Sequence, residues 1–123
     1  MNISFGEFIC NIREKKGISL REFSKTVGIS SSYESSIEKG KRSAPKYDIL
    51  IKMSDILELN QDERECLFDL AAKSKNVPMV AYDLAEYINN NKFVHNTLRL
   101  AKKHYATEKD WKQFSQKIIE THD

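Results

Sequence analysis

Residues 19–41 read SLREFSKTVGISSSYESSIEKGK, two short helical patterns that meet at a glycine. Ser19 with Glu22 three residues on forms a capping-box pattern, so a helix is predicted from Leu20. Leu20, Phe23 and Val27 recur at spacings of three and four and share one face, with the small Ser24 beside them. Gly28 suits the left-handed turn that ends a helix. Ile29 then links into Ser30 and Ser31, either of which can cap the next helix, and Glu34 completes a second box with Ser31. This second helix is predicted to run to about Lys39 and to stop at Gly40.

Helices this short bury little by themselves and need a scaffold, so their use must come from the exposed side. If Ile37 points inward, Tyr33, Glu34 and Ser30 turn roughly the same way. Ser31, Ser32, Ser35, Ser36 and Lys39 are left facing out, on a small, polar surface without a carboxylate. Lys39, Lys41 and Arg42 form a basic edge at its C-terminal end, suited to the phosphates beside a groove. The hydroxyls admit close approach to base edges but offer single, flexible hydrogen bonds, so modest direct readout is expected. The pattern as a whole is a helix-turn-helix.

The order Ser19, Glu22, Phe23, Ser24, Val27, Gly28, Ile29, Ser30, Tyr33, Ile37, Glu38, Gly40, Lys41 resembles the Cro/repressor (Xre-type) helix-turn-helix family, over about residues 3–72. The resemblance implies a dimeric bacterial or phage repressor bound in the major groove of double-stranded DNA. By position it implies base contacts from Ser31, Ser32 and Ser36 and backbone contacts from Lys39 and Lys41. Two positions depart from the family pattern. Leu20 stands where a phosphate-clamping Gln is common, with Arg21 as a replacement contact, and Glu34 stands where a buried aliphatic is usual. The candidate DNA-binding set is Arg21, Ser30, Ser31, Ser32, Tyr33, Ser35, Ser36, Lys39, Lys41 and Arg42.

Working outward, Phe5, Phe8, Ile9 and Ile12 mark a preceding helix, capped by Ser4 with Glu7 and closed by Gly17, whose apolar face should pack on Phe23, Val27 and Ile37. Pro45 is expected at the opening of a fourth helix marked by Ile49, Leu50, Met53, Ile56 and Leu57. Asn60 caps a fifth, through Leu67, Leu70 and Ala71. The polar run into Pro78 interrupts the helical pattern, which sets an expected boundary between residues 1–74, a helix-turn-helix DNA-binding domain, and residues 75–123, a helical extension for dimerisation or partner binding. Val80, Leu84, Tyr87 and Ile88 mark one helix of the extension; after Asn89-Asn90-Asn91, Val94, Leu98, Ala101 and Tyr105 mark another. Thr107 with Asp110 starts the last, which carries Trp111, Phe114, Ile118 and Ile119. The three are expected to form a small packed layer that docks on the first unit, on its twin in a dimer or on both, and Tyr82, Trp111 and Phe114 are candidate interface aromatics with core burial their expected fate. The expected fold is therefore all-α, a five-helix repressor-like domain followed by about three helices.

The 123 residues fit one small domain with an extension, and the net charge of +2 is too small to imply a polyanionic partner by itself. Its distribution is more informative. Residues 1–46 hold nine cationic side chains against five carboxylates, +4, which leaves −2 for the remainder. Cys10 and Cys66 are too isolated for a metal pair and are expected as reduced core thiols of a cytoplasmic protein. No apolar run is long enough to span a bilayer, and secretion is not expected. His95, His104 and His122 lack the spacing of a helical zinc pair, and neither a nucleophile elbow nor a phosphate-binding glycine loop is present. No enzyme activity and no cofactor are expected. The reading is a sequence-specific, homodimeric DNA-binding regulator, a repressor on an inverted repeat. Its rivals are an antitoxin-type regulator whose C-terminal helices hold a partner protein, and an interaction module that has left DNA behind.

Overall fold

The computed structural model describes residues 3–122, which form eight helices and no strand. Helix α1 (Phe5–Lys15) starts where its capping box predicts: Ser4 Oγ accepts the Glu7 N–H at 3.1 Å, and a Glu7 carboxylate oxygen accepts the Ser4 N–H at 3.5 Å. Helices α2 (Leu20–Val27) and α3 (Ser31–Glu38) meet at Gly28, whose φ of 87° admits the left-handed corner. Ser19 Oγ caps α2 by accepting the Glu22 N–H, but the reciprocal half of that box is not made. At α3 the cap is Ser30, which accepts the Tyr33 N–H at 3.0 Å. The expected Ser31–Glu34 box is absent because Ser31 already lies within the helix, beside Ser24, and Glu34 is turned into the core.

Helices α4 (Tyr47–Ile56) and α5 (Gln61–Lys73) close the first unit. Pro45 lies buried ahead of α4 rather than in its first turn, and Asn60 caps α5 together with Glu63. Phe23, Phe68, Ile9, Ile37, Leu50 and Met53 are almost wholly buried, each contributing roughly 1.5–3 kcal/mol of apolar burial. Packing between α1 and α3 is close: a Cβ added to Gly6 would sit 2.3 Å from the Ile37 carbonyl oxygen. Only a residue without a side chain lets the two backbones approach this closely. The connection after α3 is pinned to the end of α5: Ser74 Oγ accepts the Ala44 N–H at 2.9 Å and Lys75 Nζ donates to the Ala44 carbonyl at 2.5 Å.

Two compact units divide at Ala85 and Glu86, whereas the sequence suggests a break between residues 74 and 75; the outermost residues of both expected domains, 1, 2 and 123, lie outside the described ones. The first unit reaches further because Ala81 is buried in its core and the Tyr82 ring lies 5.3 Å from that of Tyr47, itself stacked on Phe68 at 5.7 Å.

The second unit holds the end of α6 (Tyr82–Asn89), α7 (Lys92–Lys103) and α8 (Glu108–His122). Thr107 and Asp110 cap α8 as predicted, with mutual bonds of 2.8 and 3.2 Å. The expected packed layer does not form: no described residue of α6, α7 or α8 is buried. Trp111 and Phe114 meet edge to face at 6.4 Å yet stay 40% and 55% exposed, not buried as expected. Helices of this length carry one apolar stripe each, too little to enclose a core.

Candidate nucleic-acid interface

The candidate interface centres on α3, and what fixes α3 lies on its inner side. Arg13 of α1 grips Glu38 at the end of α3 through two hydrogen bonds, Nε to Oε2 at 2.9 Å and Nη2 to Oε1 at 2.8 Å, while Nη1 donates to the Ile18 carbonyl at 2.8 Å. A planar guanidinium and a carboxylate matched in this bidentate way fix orientation as well as distance. At the other end of α3, Ser24 Oγ lies 3.1 Å from Ser31 Oγ and donates to the Leu20 carbonyl at 2.6 Å. Together with the Ile37 contact at Gly6, these hold both ends of a two-turn helix that could not persist alone.

Glu34 faces the same interior. It is fully buried, and neither carboxylate oxygen has a hydrogen-bond partner among the described residues. Burial first, and the neighbouring Glu38 carboxyl second, push it up to about 9, so it is a neutral acid at pH 7. For Glu38, burial works upward, but the two hydrogen bonds and the charge of Arg13 outweigh it and hold the group below the usual carboxylate range. Cys10 donates its thiol to Glu14 at 2.9 Å; that carboxylate, then burial, push it up to about 12, which keeps it a thiol rather than a thiolate.

The outer side matches the candidate set unevenly. Arg21, Ser30, Ser31, Ser32, Lys39, Lys41 and Arg42 are exposed, whereas Tyr33, Ser35 and Ser36 are half-buried. Ser30 and Ser31 each have a hydroxyl engaged, by the Tyr33 N–H and by Ser24. Ser32, Ser35 and Ser36 make no side-chain hydrogen bond among the described residues, and Arg21, Lys39, Lys41 and Arg42 form no ion pair among them. Ser30, Ser32, Tyr33, Ser36 and Arg42 line an open depression of about 230 Å³. The Arg42 guanidinium carbon lies 5.8 Å from the Tyr33 ring centroid. Unengaged hydroxyls between unpaired cations make a surface complementary to a polyanion with polar base edges.

Arg13, Glu38 and Gly6 have no place in the candidate set, although they set the position of α3. A signal for the first was present: Phe5, Ile9 and Arg13 follow one another at helical spacing, and an arginine on a core face requires a carboxylate partner. Gly6 had no signal, because its importance depends on how closely α3 passes.

Among the described residues no group of three or more His, Cys, Asp or Glu side chains is placed to hold a metal ion. No described helix is long and apolar enough to cross a membrane. A family model described as a helix-turn-helix domain matches residues 6–72. Among solved structures, a SinR protein/SinI protein complex is similar at 23% identity and a TM-score of 0.48, over 96% of this chain and 99% of that one. No curated protein matches the chain.

Proposed function

The chain belongs to the Xre-type helix-turn-helix family of DNA-binding regulators, and from that premise we propose that it is a cytoplasmic bacterial or phage repressor that binds an inverted-repeat operator as a homodimer. The observation that carries this reading is the outward face of α3, with Ser32 and Ser36 hydroxyls unengaged and Lys39 and Lys41 unpaired, on a helix whose inner face is bolted to α1. In this reading α3 enters the major groove and the serines meet base edges. Arg21, Lys39 and Lys41 neutralise flanking phosphates. Two heads related by a two-fold axis address half-sites about 34 Å apart. The chain acts by binding, not by catalysis.

The test is binding to a fluorescent duplex from the gene's own upstream region, at several salt concentrations and against random duplex. Affinity that survives competitor and falls steeply with salt supports the reading; equal loss to competitor overturns it. Lys39→Ala should weaken all duplexes alike and reduce the salt slope by about one. Ser36→Ala should instead shift sequence preference by about 1 kcal/mol.

Residues 75–123 serve in this proposal as the dimerisation or partner-binding segment. The supporting observation is apolar surface without cover: Phe93 is 84% exposed and Tyr105 86%. Isolated helices of such length are marginal in water, so contact with a second chain accounts best for α7 and α8. The same surface also favours a second reading, an antitoxin-type regulator whose C-terminal helices hold a different protein. Sedimentation of the purified chain separates the two: a dimer alone supports the first, and a monomer that co-purifies with a neighbouring gene product supports the second.

A further inference from the structure

We infer that Arg42 is a base-reading side chain, held over Tyr33 and available to a guanine in the major groove, rather than one of the phosphate clamps that its place in the sequence suggests. The inference rests on the DNA-binding reading and deepens it. After α3, Gly40 takes a φ of 77°, and the Lys41 and Arg42 N–H groups both donate to the Ser36 carbonyl, at 2.9 and 3.2 Å. These bonds hold the backbone of Lys41 and Arg42 against the last turn of α3. From there the Arg42 side chain reaches Tyr33, in the first turn of α3, although nine positions separate the two in sequence. In a helix-turn-helix the first turns of the second helix are what meets base edges. Arg42 also shares the walls of one depression with Ser32 and Ser36, the hydroxyls proposed to face the bases.

Chemistry points the same way. The guanidinium lies over the Tyr33 ring at cation–π distance, and none of its donors makes a hydrogen bond among the described residues, which leaves the fork geometry that matches guanine O6 and N7 free. No carboxylate pairs with Arg42 among the described residues, so the fork is not already engaged. The serines supply single, rotatable donors, and Lys39 and Lys41 supply point charges. Between Ser31 and Arg42 the sequence holds one arginine, so two-point recognition by this segment concentrates at one base pair.

The test is selection of preferred duplexes from a randomised pool by the full chain, followed by affinities for the selected site with each guanine replaced in turn. Wild type, Arg42→Lys, Tyr33→Leu and Lys41→Ala are compared, with helicity checked by circular dichroism. Arg42→Lys keeps the charge and loses the fork. It is expected to lower affinity for the selected site about 10- to 100-fold, to abolish preference at one guanine, and to leave random-duplex affinity and the salt slope unchanged. Tyr33→Leu should relax the same position a few-fold, and Lys41→Ala should weaken every duplex equally. A selected site whose guanine preferences all survive Arg42→Lys overturns this inference alone. Failure of the wild type to select any sequence overturns it together with the regulator reading.

Discussion

Helices α1 to α5 bury the apolar faces that their periodicity draws, whereas α7 and α8 draw the same periodicity and leave no described residue of it fully buried. Phe23 and Phe68 disappear into a shared core; Trp111 and Phe114, on an equally regular stripe, remain in water. Periodicity states that a face is to be covered but not by what. In the first unit the cover is supplied by the chain itself, at distances short enough to require glycine at position 6. For α7 and α8 it is proposed to come from another chain, and the contrast can be tested one substitution at a time.

The largest effect is expected at Arg13. Arg13→Ala leaves the buried Glu38 carboxyl without its counter-charge and frees the end of α3, which should cost about 3–5 kcal/mol in urea unfolding at pH 7. A cost below about 1 kcal/mol would mean that the first unit is not held together as described. Next is Glu34→Leu, expected to stabilise the same unit by about 3 kcal/mol at pH 7. There the folded chain keeps a proton that the unfolded chain, near 4.5, releases. Because the folded value is the raised one, wild-type stability from this group falls as pH rises from about 4.5 toward about 9, and the gain from Glu34→Leu should shrink on acidification to pH 5. A gain independent of pH would show that Glu34 is charged in the fold.

Smaller still, Ser30→Ala removes the α3 cap and should cost about 1 kcal/mol by the same unfolding measurement. The smallest effect on stability, and the sharpest on the comparison, belongs to Trp111→Ser with Phe114→Ser. Unfolding of the first unit should move by no more than about 0.5 kcal/mol, while sedimentation should show loss of the dimer. Unfolding of the first unit together with that loss would show that its stability depends on the second.

The helix order was legible because its signals are local. Ser4 with Glu7, Gly28, Asn60 and Thr107 with Asp110 act within a turn of themselves, and each does in the structure what its neighbours predict. Illegible were the matters that depend on partners distant in sequence. Glu34 reads as half of a capping box until α1 is laid against it, when it becomes a buried neutral acid. Arg42 reads as an edge cation until, with its backbone held against the last turn of α3, its side chain reaches Tyr33.

By itself, then, the sequence determined the all-α class, the glycine corner between α2 and α3 and the inward turn of Ile37, since caps, left-handed glycines and a period of 3.6 are properties of consecutive residues. Only the tertiary structure decided that Arg13 and Glu38 hold α3, that Glu34 is neutral, and that α7 and α8 keep their apolar stripes exposed. Ion pairing, desolvation and burial depend on which atoms lie within a few ångströms, and only folding sets those distances.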